Sequence, residues 1–307
     1  MCEVYCPTNL AKKMTLRTEI NFETDKNYTT VLDHGFVGLV DHMGSDNAIV
    51  QAARVSYGAG TTQVQDDRNL IRYLMRHEHT TPFEMCEVKF HIKLPIFVMR
   101  QLVRHRTASM NEYSARYSVL TDEFYIPEFE QIQKQSTTNK QGREESAWGF
   151  EEKRGVQHAF QRSFHNAYKE YASLLGKEDS GLARELARSV LPVGGYTELY
   201  WKANLKNFLH MARLRMDPHA QWEIREFAGA MYDLVKPLFP EACSAFEDYA
   251  VNSVKLSAGE YELVKNLISQ EKWITLVAKY GNDEKALGQD AGLGVRELRE
   301  FKEKLGL

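Results

Sequence analysis

The sequence predicts an α+β subunit that is dominated by helices and built around a central mixed or antiparallel sheet. Residues 86–94 alternate apolar and polar side chains without a break, which is the pattern of a half-buried strand. Residues 196–201 form a second candidate strand. Apolar residues at helical spacing fill much of the remaining chain, so helices are expected to outnumber strands.

Composition and charge narrow the class of protein. The chain has 307 residues, of which 43% are hydrophobic and 26% charged, as is typical of globular proteins. Its 39 basic and 42 acidic residues give a net charge of −3, whereas general nucleic-acid binders carry a basic excess. Four cysteines are too few for a disulfide scaffold, and no apolar run approaches the roughly 20 residues that span a bilayer. We therefore expect a cytoplasmic protein with no membrane segment and no nucleic-acid partner.

The first part of the chain divides into an arm and the start of a main domain. Residues 1–30 are polar and aperiodic, and we treat them as an N-terminal arm; the main domain spans residues 31–250. Its first elements are predicted as a strand over 36–40, a helix capped by Ser45 or Asp46, a helix over 66–77 and the strand over 86–94, which Pro95 ends. A helix from Ile96 to about Arg106 follows.

The second part of the main domain precedes a C-terminal extension. Residues 133–155 are rich in polar side chains and predict a mobile insertion. Helical periodicity then predicts helices over 156–175, 180–190, 203–215 and 219–236. Pro240 and the stretch after Ala250 mark a boundary, and residues 251–307 predict a helical extension with short charged helices over 259–280 and 294–305.

Several familiar site motifs are absent from the sequence. No G-x-G-x-x-G follows a strand, and there is no G-x-x-x-x-G-K-[ST] phosphate loop. His77 and His79 would lie on opposite faces of a helix, and Cys2 and Cys6 lack the second pair that a zinc site needs. We therefore expect no metal.

One stretch, residues 104–116, concentrates cationic side chains after a strongly apolar helix. Cations are common at helix C-termini, so one interpretation is a capped surface helix. Against it, Gln101, Arg104 and His105 share one face of a largely buried helix, and Glu112 alone cannot neutralise the cations of the stretch. A bound dianion such as a nucleotide phosphate would balance that charge.

The stretch resembles the signature R-H-R-x-x-S-x-N-E-x-S-x-R of the flavin-dependent thymidylate synthases, which it matches at all eight fixed positions. Three further segments are similar to other blocks of that family and follow in family order: 79–84, 184–192 and 214–222. The resemblance extends over residues 31–250. It implies the α+β fold of this family, assembled as a homotetramer whose active sites are shared between subunits.

The resemblance also implies a reaction, a cofactor and a set of small-molecule partners. The family converts dUMP to dTMP, with methylene-tetrahydrofolate as carbon donor and FAD, reduced by NADPH, as hydride donor. Carried over by position, the implied dUMP contacts are Gln101, Arg104, Glu112, Tyr113, Ser114, Ala115, Arg116, Arg188 and Arg215. The implied FAD contacts are His79, Thr81, Arg104, His105, Arg106, Glu112, Asn204, Leu205, Lys206 and His210.

Arg215 resembles the catalytic arginine of the family, which favours ionisation of the uracil N3. Methylation at C5 needs negative charge to build up on the ring, and a fixed guanidinium stabilises that charge without transferring a proton. No cysteine is placed as a nucleophile, since Cys86 is in the apolar phase of its strand and Cys243 lies near the acidic Glu241. We therefore expect a reaction that needs no cysteine.

Other interpretations remain open for the site and for single residues. The cluster from Arg104 to Arg116 could belong to a nucleic-acid-binding module, or the chain could be an FAD enzyme of the same fold that acts on another nucleotide. His79 could cap the end of a helix, and Thr81 and Glu84 could take a capping role before the strand. Arg188 could pair with a surface carboxylate.

Overall fold

The computed structural model describes residues 25–55, 67–137, 142–144, 148–177, 181–267 and 270–305. The strands in these ranges are β1 (Tyr28–Val31), β2 (Gly35–Met43), β3 (Glu87–Pro95), β4 (Ser109–Glu112), β5 (Lys134–Gln135), β6 (Arg143–Glu144) and β7 (Tyr196–Asn204). Five of them form one antiparallel sheet in the order β1-β2-β3-β7-β4, and β5 pairs with β6 separately. The predicted α+β class with a central antiparallel sheet is confirmed.

The three predicted strands are confirmed, and one boundary needs correction. The segments 36–40, 86–94 and 196–201 correspond to β2, β3 and β7. β1 lies inside the range that we treated as an arm, because its residues pair with β2 across a tight turn in which Leu32 has a φ of 60°. The short polar strand carries too little apolar periodicity for its sequence to reveal it.

The helices of the main domain are α1 (Asp46–Arg54), α2 (Asp67–Arg76), α3 (Thr81–Glu84), α4 (Ile96–Leu102), α5 (Phe150–Leu175), α6 (Arg184–Ala187), α7 (Leu205–Arg215), α8 (Trp222–Val235) and α9 (Pro240–Phe246). α4 ends at Leu102 and not near Arg106, because the chain turns there and β4 pairs with β7. The predicted helix over 180–190 is only α6 and a 3₁₀ turn. Among the described residues, no helix is long and apolar enough to cross a membrane.

A hydrophobic core lies between the inner face of the sheet and the helices packed against it. β3 contributes Val88, Phe90 and Ile92, all fully buried, and α7 and α8 contribute Phe208 and Phe227. α9 starts at Pro240, where the sequence predicted a boundary, and its buried residues belong to this same core. Burial of apolar surface contributes about 25 cal/mol per Å² and fixes the positions of α4 and α7. The residues predicted to bind ligands lie at the ends of these two helices.

The predicted mobile insertion, residues 133–155, contains regular structure where it is described. β5 and β6 form a small hairpin, and α5 begins at Phe150, whose ring stacks on Phe129 with centroids 5.0 Å apart. Arg143 of β6 reaches back to the main domain, where its Nη2 lies 2.6 Å from the carboxylate of Glu223. Residues 138–141 and 145–147 lie outside the described residues.

The C-terminal extension forms α10 (Ala258–Leu267), α11 (Gln270–Ala278), α12 (Glu284–Asp290) and α13 (Val295–Leu305). α11, α12 and α13 share a small core of Trp273, Val277, Leu287 and Leu298. Gly288 lets α12 approach α13 closely, because a Cβ at this position would lie 3.1 Å from Leu298 Cδ2. The predicted segments 259–280 and 294–305 correspond to α10, α11 and α13.

Ion pairs hold the extension against α2. Arg76 Nε donates to Glu300 at 2.9 Å, and His77 Nε2 lies 3.3 Å from the same carboxylate. Glu297 Oε1 lies 3.0 Å from Arg76 Nη1 and 3.6 Å from Arg72 Nη2. The charges attract each other, but neither contact has the geometry of a hydrogen bond. The side chains of Arg72, Arg76 and Glu297 are no more than 14% exposed, so water screens this contact less than a surface ion pair.

Replacing Glu300 with Gln should loosen α13 from α2. Burial raises the pKa of the Glu300 carboxyl, but Arg76 and His77 lower it more, so its pKa lies below the usual 4.5. A carboxyl of this kind stabilises the folded protein above its ordinary pKa and loses that contribution as the pH falls through the lowered value. Amide-exchange protection of α13 in the wild type should therefore weaken below pH 4.5.

At neutral pH, Glu300→Gln should lower the protection of α13 about fivefold, the equivalent of ~1 kcal/mol. Glu303→Gln, an exposed change on the same helix, should leave protection as in the wild type. Equal protection in all three proteins would show that the ion pairs do not hold the extension.

Candidate active site

The turn after α4 separates the three residues of the R-H-R triplet. α4 begins after Pro95, whose φ of −62° suits a helix start, and Val98 and Leu102 anchor it in the core. The turn leaves Arg104 and Arg106 exposed and points the His105 side chain inward, where the residue is 8% exposed. The triplet is therefore not one continuous surface patch, and the interpretation as a simple capped surface helix is wrong for its central residue.

The buried His105 ring contacts Arg215, the last residue of α7. Arg215 Nε donates to His105 Nε2 at 3.0 Å, and Arg215 Nη2 donates to the carbonyl oxygen of Gln101 at 3.3 Å. A guanidinium can only donate, so His105 Nε2 must carry a lone pair and the ring proton must lie on Nδ1. The two contacts fix the Arg215 head group at the C-terminal end of α4.

Positive charge is concentrated around this contact without nearby acids. Burial lowers the pKa of His105 to about 4, with Arg215 and His210 contributing. Burial likewise lowers the pKa of His210, helped by two cations of α7, and that of Arg215, helped by Arg104. Within the ranges that the structure describes, no acidic side chain forms an ion pair with Arg104, Arg106 or Arg215. We call these five residues the first group, and its positive charge is available to an anionic ligand.

A second group begins where β4 ends. The Thr197 hydroxyl donates to Glu112 Oε1 at 2.7 Å and fixes that carboxylate at the last position of β4. The N–H of Tyr113 donates to the carbonyl oxygen of Glu198 at 2.8 Å. The segment 112–116, which the resemblance implies as the dUMP phosphate loop, therefore starts at the edge of the sheet. Ala115 is buried, which leaves only its backbone to contact a ligand.

The same group contains two arginines that are far apart in sequence. The Arg116 guanidinium lies 3.2 Å from the Glu185 carboxylate, and both side chains are more than half exposed. Arg188 Nε donates to the backbone carbonyl of Glu185 at 3.2 Å. Glu185 of α6 thus contacts Arg116 through its side chain and Arg188 through its backbone. Among the described residues, Arg188 forms no ion pair with a carboxylate side chain, so the interpretation as such a surface pair is not supported.

A third group lies at the turn between α2 and α3. The exposed His79 ring contacts the Tyr73 ring edge-on, with centroids 5.6 Å apart, and Glu78 has a φ of 55° that lets the chain turn. Thr81 is exposed and is the first residue of α3, while Thr80 takes the capping position, so the capping interpretation of Thr81 is wrong. Among the described residues, no hydrogen bond, ion pair or ring contact joins this group to the other two.

The first turns of α7 hold the remaining predicted cofactor contacts. The Asn204 side-chain oxygen caps the helix by accepting the backbone N–H three residues later at 2.9 Å. Leu205 is fully buried, so its side chain belongs to the core and only its backbone can reach a ligand. Lys206 and His210 lie one turn apart on the same face and are partly or fully exposed.

One polar contact of this site, between Gln101 and Gln221, was not predicted from the sequence. Gln101 Nε2 donates to Gln221 Oε1 at 2.6 Å. Gln221 lies in the segment 214–222, which resembles a block of the family. That resemblance is the only sequence feature that could have pointed to Gln221 as a residue of the site. Local periodicity cannot reveal a pair of amides that are 120 positions apart.

The described cysteines are unsuited to nucleophilic catalysis. Cys86 and Cys243 are buried free thiols, and burial is the main cause that raises their pKa values to about 11 and about 12. Little thiolate forms at neutral pH under these conditions. Cys2 and Cys6 lie outside the described residues. The described residues also contain no group of three or more His, Cys, Asp or Glu side chains that could hold a metal ion.

Comparison with known proteins shows which family has this arrangement. The family model described as thymidylate synthase complementing protein matches residues 38–241. The chain belongs to this family. A flavin-dependent thymidylate synthase of Rickettsia bellii (strain RML369-C) is 53% identical over 251 residues, covering 79% of this chain and 85% of that protein. One of Gluconobacter oxydans (strain 621H) is 52% identical over 241 residues, covering 78% of this chain and 79% of that protein.

A solved structure of the family fold agrees with this assignment. The UMP/dUMP methylase PolB from Streptomyces cacaoi, bound with 5-Br UMP, superposes with a TM-score of 0.64 at 36% identity. The alignment covers 73% of this chain and 99% of PolB. The resemblance to flavin-dependent thymidylate synthases that the sequence predicted is confirmed, and the helices α10–α13 lie beyond the segment that the family model matches.

The charge around His105 can be tested by its titration. His105 should stay neutral down to its pKa of about 4, and Arg215→Ala should raise that pKa part of the way toward 6.5, because a neighbouring cation is removed while burial remains. NMR of the imidazole Cε1–H resonances over a pH series measures both values, with the exposed His219 as an internal reference. A wild-type His105 that titrates near 6.5 would show that the ring is not held as described.

Proposed function

We propose that this chain is a flavin-dependent thymidylate synthase that methylates dUMP at the uracil C5 to give dTMP. Methylene-tetrahydrofolate supplies the carbon, and FAD reduced by NADPH supplies the hydride. The observation that carries the proposal is the Arg215 guanidinium held against the neutral His105, within a group of cations that forms no ion pair with an acid in the described part of the chain. Family membership favours this function over a nucleic-acid-binding module that uses the same cations.

The residues of the first group fit an FAD. The cofactor carries a diphosphate, and the cations Arg104, Arg106 and Lys206 lack acidic partners among the described residues. The face of α7 adds His210, a hydrogen-bonding side chain whose lowered pKa keeps it neutral near pH 7. When bound, the reduced flavin supplies the hydride that completes the methyl group. In this proposal the His79 turn also lies against the cofactor.

The second group fits the nucleotide phosphate. Arg116, the last residue of the implied phosphate loop over 112–116, contacts the side chain of Glu185, and Arg188 donates to the backbone carbonyl of the same residue. Since the ion pair between Arg116 and Glu185 is exposed, it is worth little, and a phosphate dianion can replace it at low cost. Arg116, Arg188, and the N–H groups and Ser114 hydroxyl of the loop would then bind the phosphate.

Arg215 carries the catalytic step that the chain itself supplies. Two acceptors, His105 Nε2 and the Gln101 carbonyl oxygen, already hold its guanidinium in place, so it need not reorganise during the reaction. Even with its pKa lowered by burial, an arginine remains protonated at neutral pH. A fixed positive charge beside the uracil N3 stabilises the negative ring that attacks through C5. The neutral His105 accepts from Arg215 and leaves the full charge on the guanidinium.

A homotetramer with shared sites forms part of the proposal. Among the described residues, no hydrogen bond, ion pair or ring contact joins the third group, with His79 and Thr81, to the other two groups, and Arg104 and Arg106 are exposed. A neighbouring subunit would bring these surfaces together, and light scattering measures the assembly. The free thiols Cys86 and Cys243 are consistent with a cytoplasmic location, where thiols stay reduced.

Spectral titration tests the proposed function. The purified protein should bind added FAD, and dUMP should then perturb the flavin spectrum and support dTMP formation with methylene-tetrahydrofolate and NADPH. UMP is the comparison ligand, because PolB is named as a methylase of both nucleotides. A protein that binds neither FAD nor dUMP would overturn the proposal, whereas turnover of UMP alone would reassign the nucleotide.

Arg215→Ala should abolish most of the activity and retain the cofactor. Loss of one preorganised charge at a developing anion costs about 10²–10³ in rate. Steady-state dTMP formation and FAD titration measure the two effects separately. Arg213→Ala, a change two positions earlier on α7, is the matched control and should affect the rate far less. Near-normal turnover of Arg215→Ala would remove this residue from its catalytic role.

Replacing all four cysteines with Ser or Ala should leave turnover largely intact. Cys86 and Cys243 are too deeply buried and too weakly acidic to attack a nucleotide. Their replacement should cost some stability, because both pack in the core, so thermal unfolding is measured beside activity. Loss of turnover in a folded, FAD-loaded protein would establish that a cysteine takes part in the reaction.

A further inference from the structure

A chain of hydrogen bonds runs from Gln101 into the core of the main domain. Gln101 Nε2 donates to Gln221 Oε1 at 2.6 Å, and Gln221 Nε2 donates to Glu223 Oε2 at 2.8 Å. Glu223 is only 2% exposed. Its carboxylate also accepts from Arg143 Nη2 at 2.6 and 2.8 Å and from the Tyr125 hydroxyl at 3.1 Å. We call these residues the Glu223 relay.

The chemistry of the relay fixes its direction. A carboxylate can only accept, so Gln221 must turn its amide nitrogen toward Glu223 and its oxygen toward Gln101. Gln101 must then turn its own amide nitrogen toward Gln221. Tyr125 stays a donor, because burial and the neighbouring Glu223 raise the pKa of its hydroxyl. Neither glutamine can flip without placing two donors or two acceptors against each other.

This direction determines what Gln101 can offer a ligand. With its amide nitrogen engaged, its side-chain oxygen is left as an acceptor for an N–H or O–H of a bound molecule. The backbone carbonyl of Gln101 already accepts from Arg215 Nη2 at 3.3 Å. One residue thus joins the relay to the arginine that faces the reacting ring, so the orientation of its side chain matters for binding.

We propose that Glu223 is a positioning residue for the nucleotide, which acts through Gln221 to hold the Gln101 side-chain oxygen toward an N–H or O–H donor of dUMP. The inference rests on the proposed function, in which Gln101 contacts dUMP. Glu223 itself touches neither the substrate nor the cofactor in this proposal. Arg143 of the β5–β6 hairpin supplies the charge that makes a carboxylate tolerable at this depth.

Glu223→Gln tests the relay, because an amide in place of the carboxylate can donate as well as accept and no longer dictates the direction. The dissociation constant of dUMP should rise about tenfold, the size of one lost hydrogen bond to a charged or oriented group. The dissociation constant of FAD should stay within about twofold. Glu226→Gln, an exposed change on the same helix α8, should alter neither constant. We thus expect Glu223→Gln to weaken nucleotide binding and to leave cofactor binding nearly unchanged.

A double-mutant cycle distinguishes positioning from general support of the fold. If Glu223 acts through Gln101, Glu223→Gln should weaken dUMP binding in the wild-type background and have no further effect in Gln101→Ala. Gln221→Met breaks the same relay without changing a charge, so it gives a second measurement if Glu223→Gln folds poorly. Circular dichroism and thermal unfolding verify that each variant is folded.

The outcomes separate this inference from the proposed function. Weaker dUMP binding in Glu223→Gln or Gln221→Met, with FAD binding retained and no added effect in Gln101→Ala, supports the positioning role. Unchanged dUMP binding in folded variants overturns it, as does an equal loss of dUMP and FAD binding or an effect that persists in Gln101→Ala. A wild-type protein that does not bind dUMP overturns the proposed function instead.

Discussion

The hydrogen bond from the Arg215 guanidinium to the neutral His105 is the interaction on which the rest of the site depends. It requires an inward-facing histidine at the end of α4 and an arginine at the end of α7, and the common core of the main domain sets both helix ends. An imidazole that is neutral and buried can accept from a guanidinium without cancelling its charge. The positive charge therefore stays available for a ligand.

That unbalanced positive charge affects the other titratable side chains of the site. A folded chain normally pairs its buried cations, yet burial and neighbouring cations lower the pKa values of His105, His210 and Arg215 together. In the absence of ligand, these unpaired positive charges cost the folded protein free energy, and anionic ligands would offset that cost on binding. Arg116 differs from these residues because it has an acidic partner, Glu185. Both side chains of that ion pair are exposed, so a bound phosphate can replace Glu185.

The extension, which the family model does not match, is connected to the third group of the site. Arg296 of α13 lies over the Tyr73 ring, 4.1 Å from its centroid, and the edge of Tyr73 packs against His79. Glu300 of α13 also contacts Arg76, the last residue of α2, and His77, which follows it. α13 thus contacts Tyr73 and His77, which flank the turn that carries His79, so changes in the docking of α13 reach this turn through them.

Some of this structure follows from the sequence alone. Periodicity located β2, β3 and β7, and the spacing of residues 104–116 identified the family and its ligands, because strand alternation and a contiguous motif are local properties. The inward turn of His105, its bond to Arg215 and the relay from Gln101 to Glu223 came only from the tertiary structure. The bond from Arg215 to His105 joins residues 110 positions apart, and the bond from Gln101 to Gln221 joins residues 120 positions apart. How the sheet and helices pack around the core decides which of these polar groups meet, and no local pattern encodes that packing.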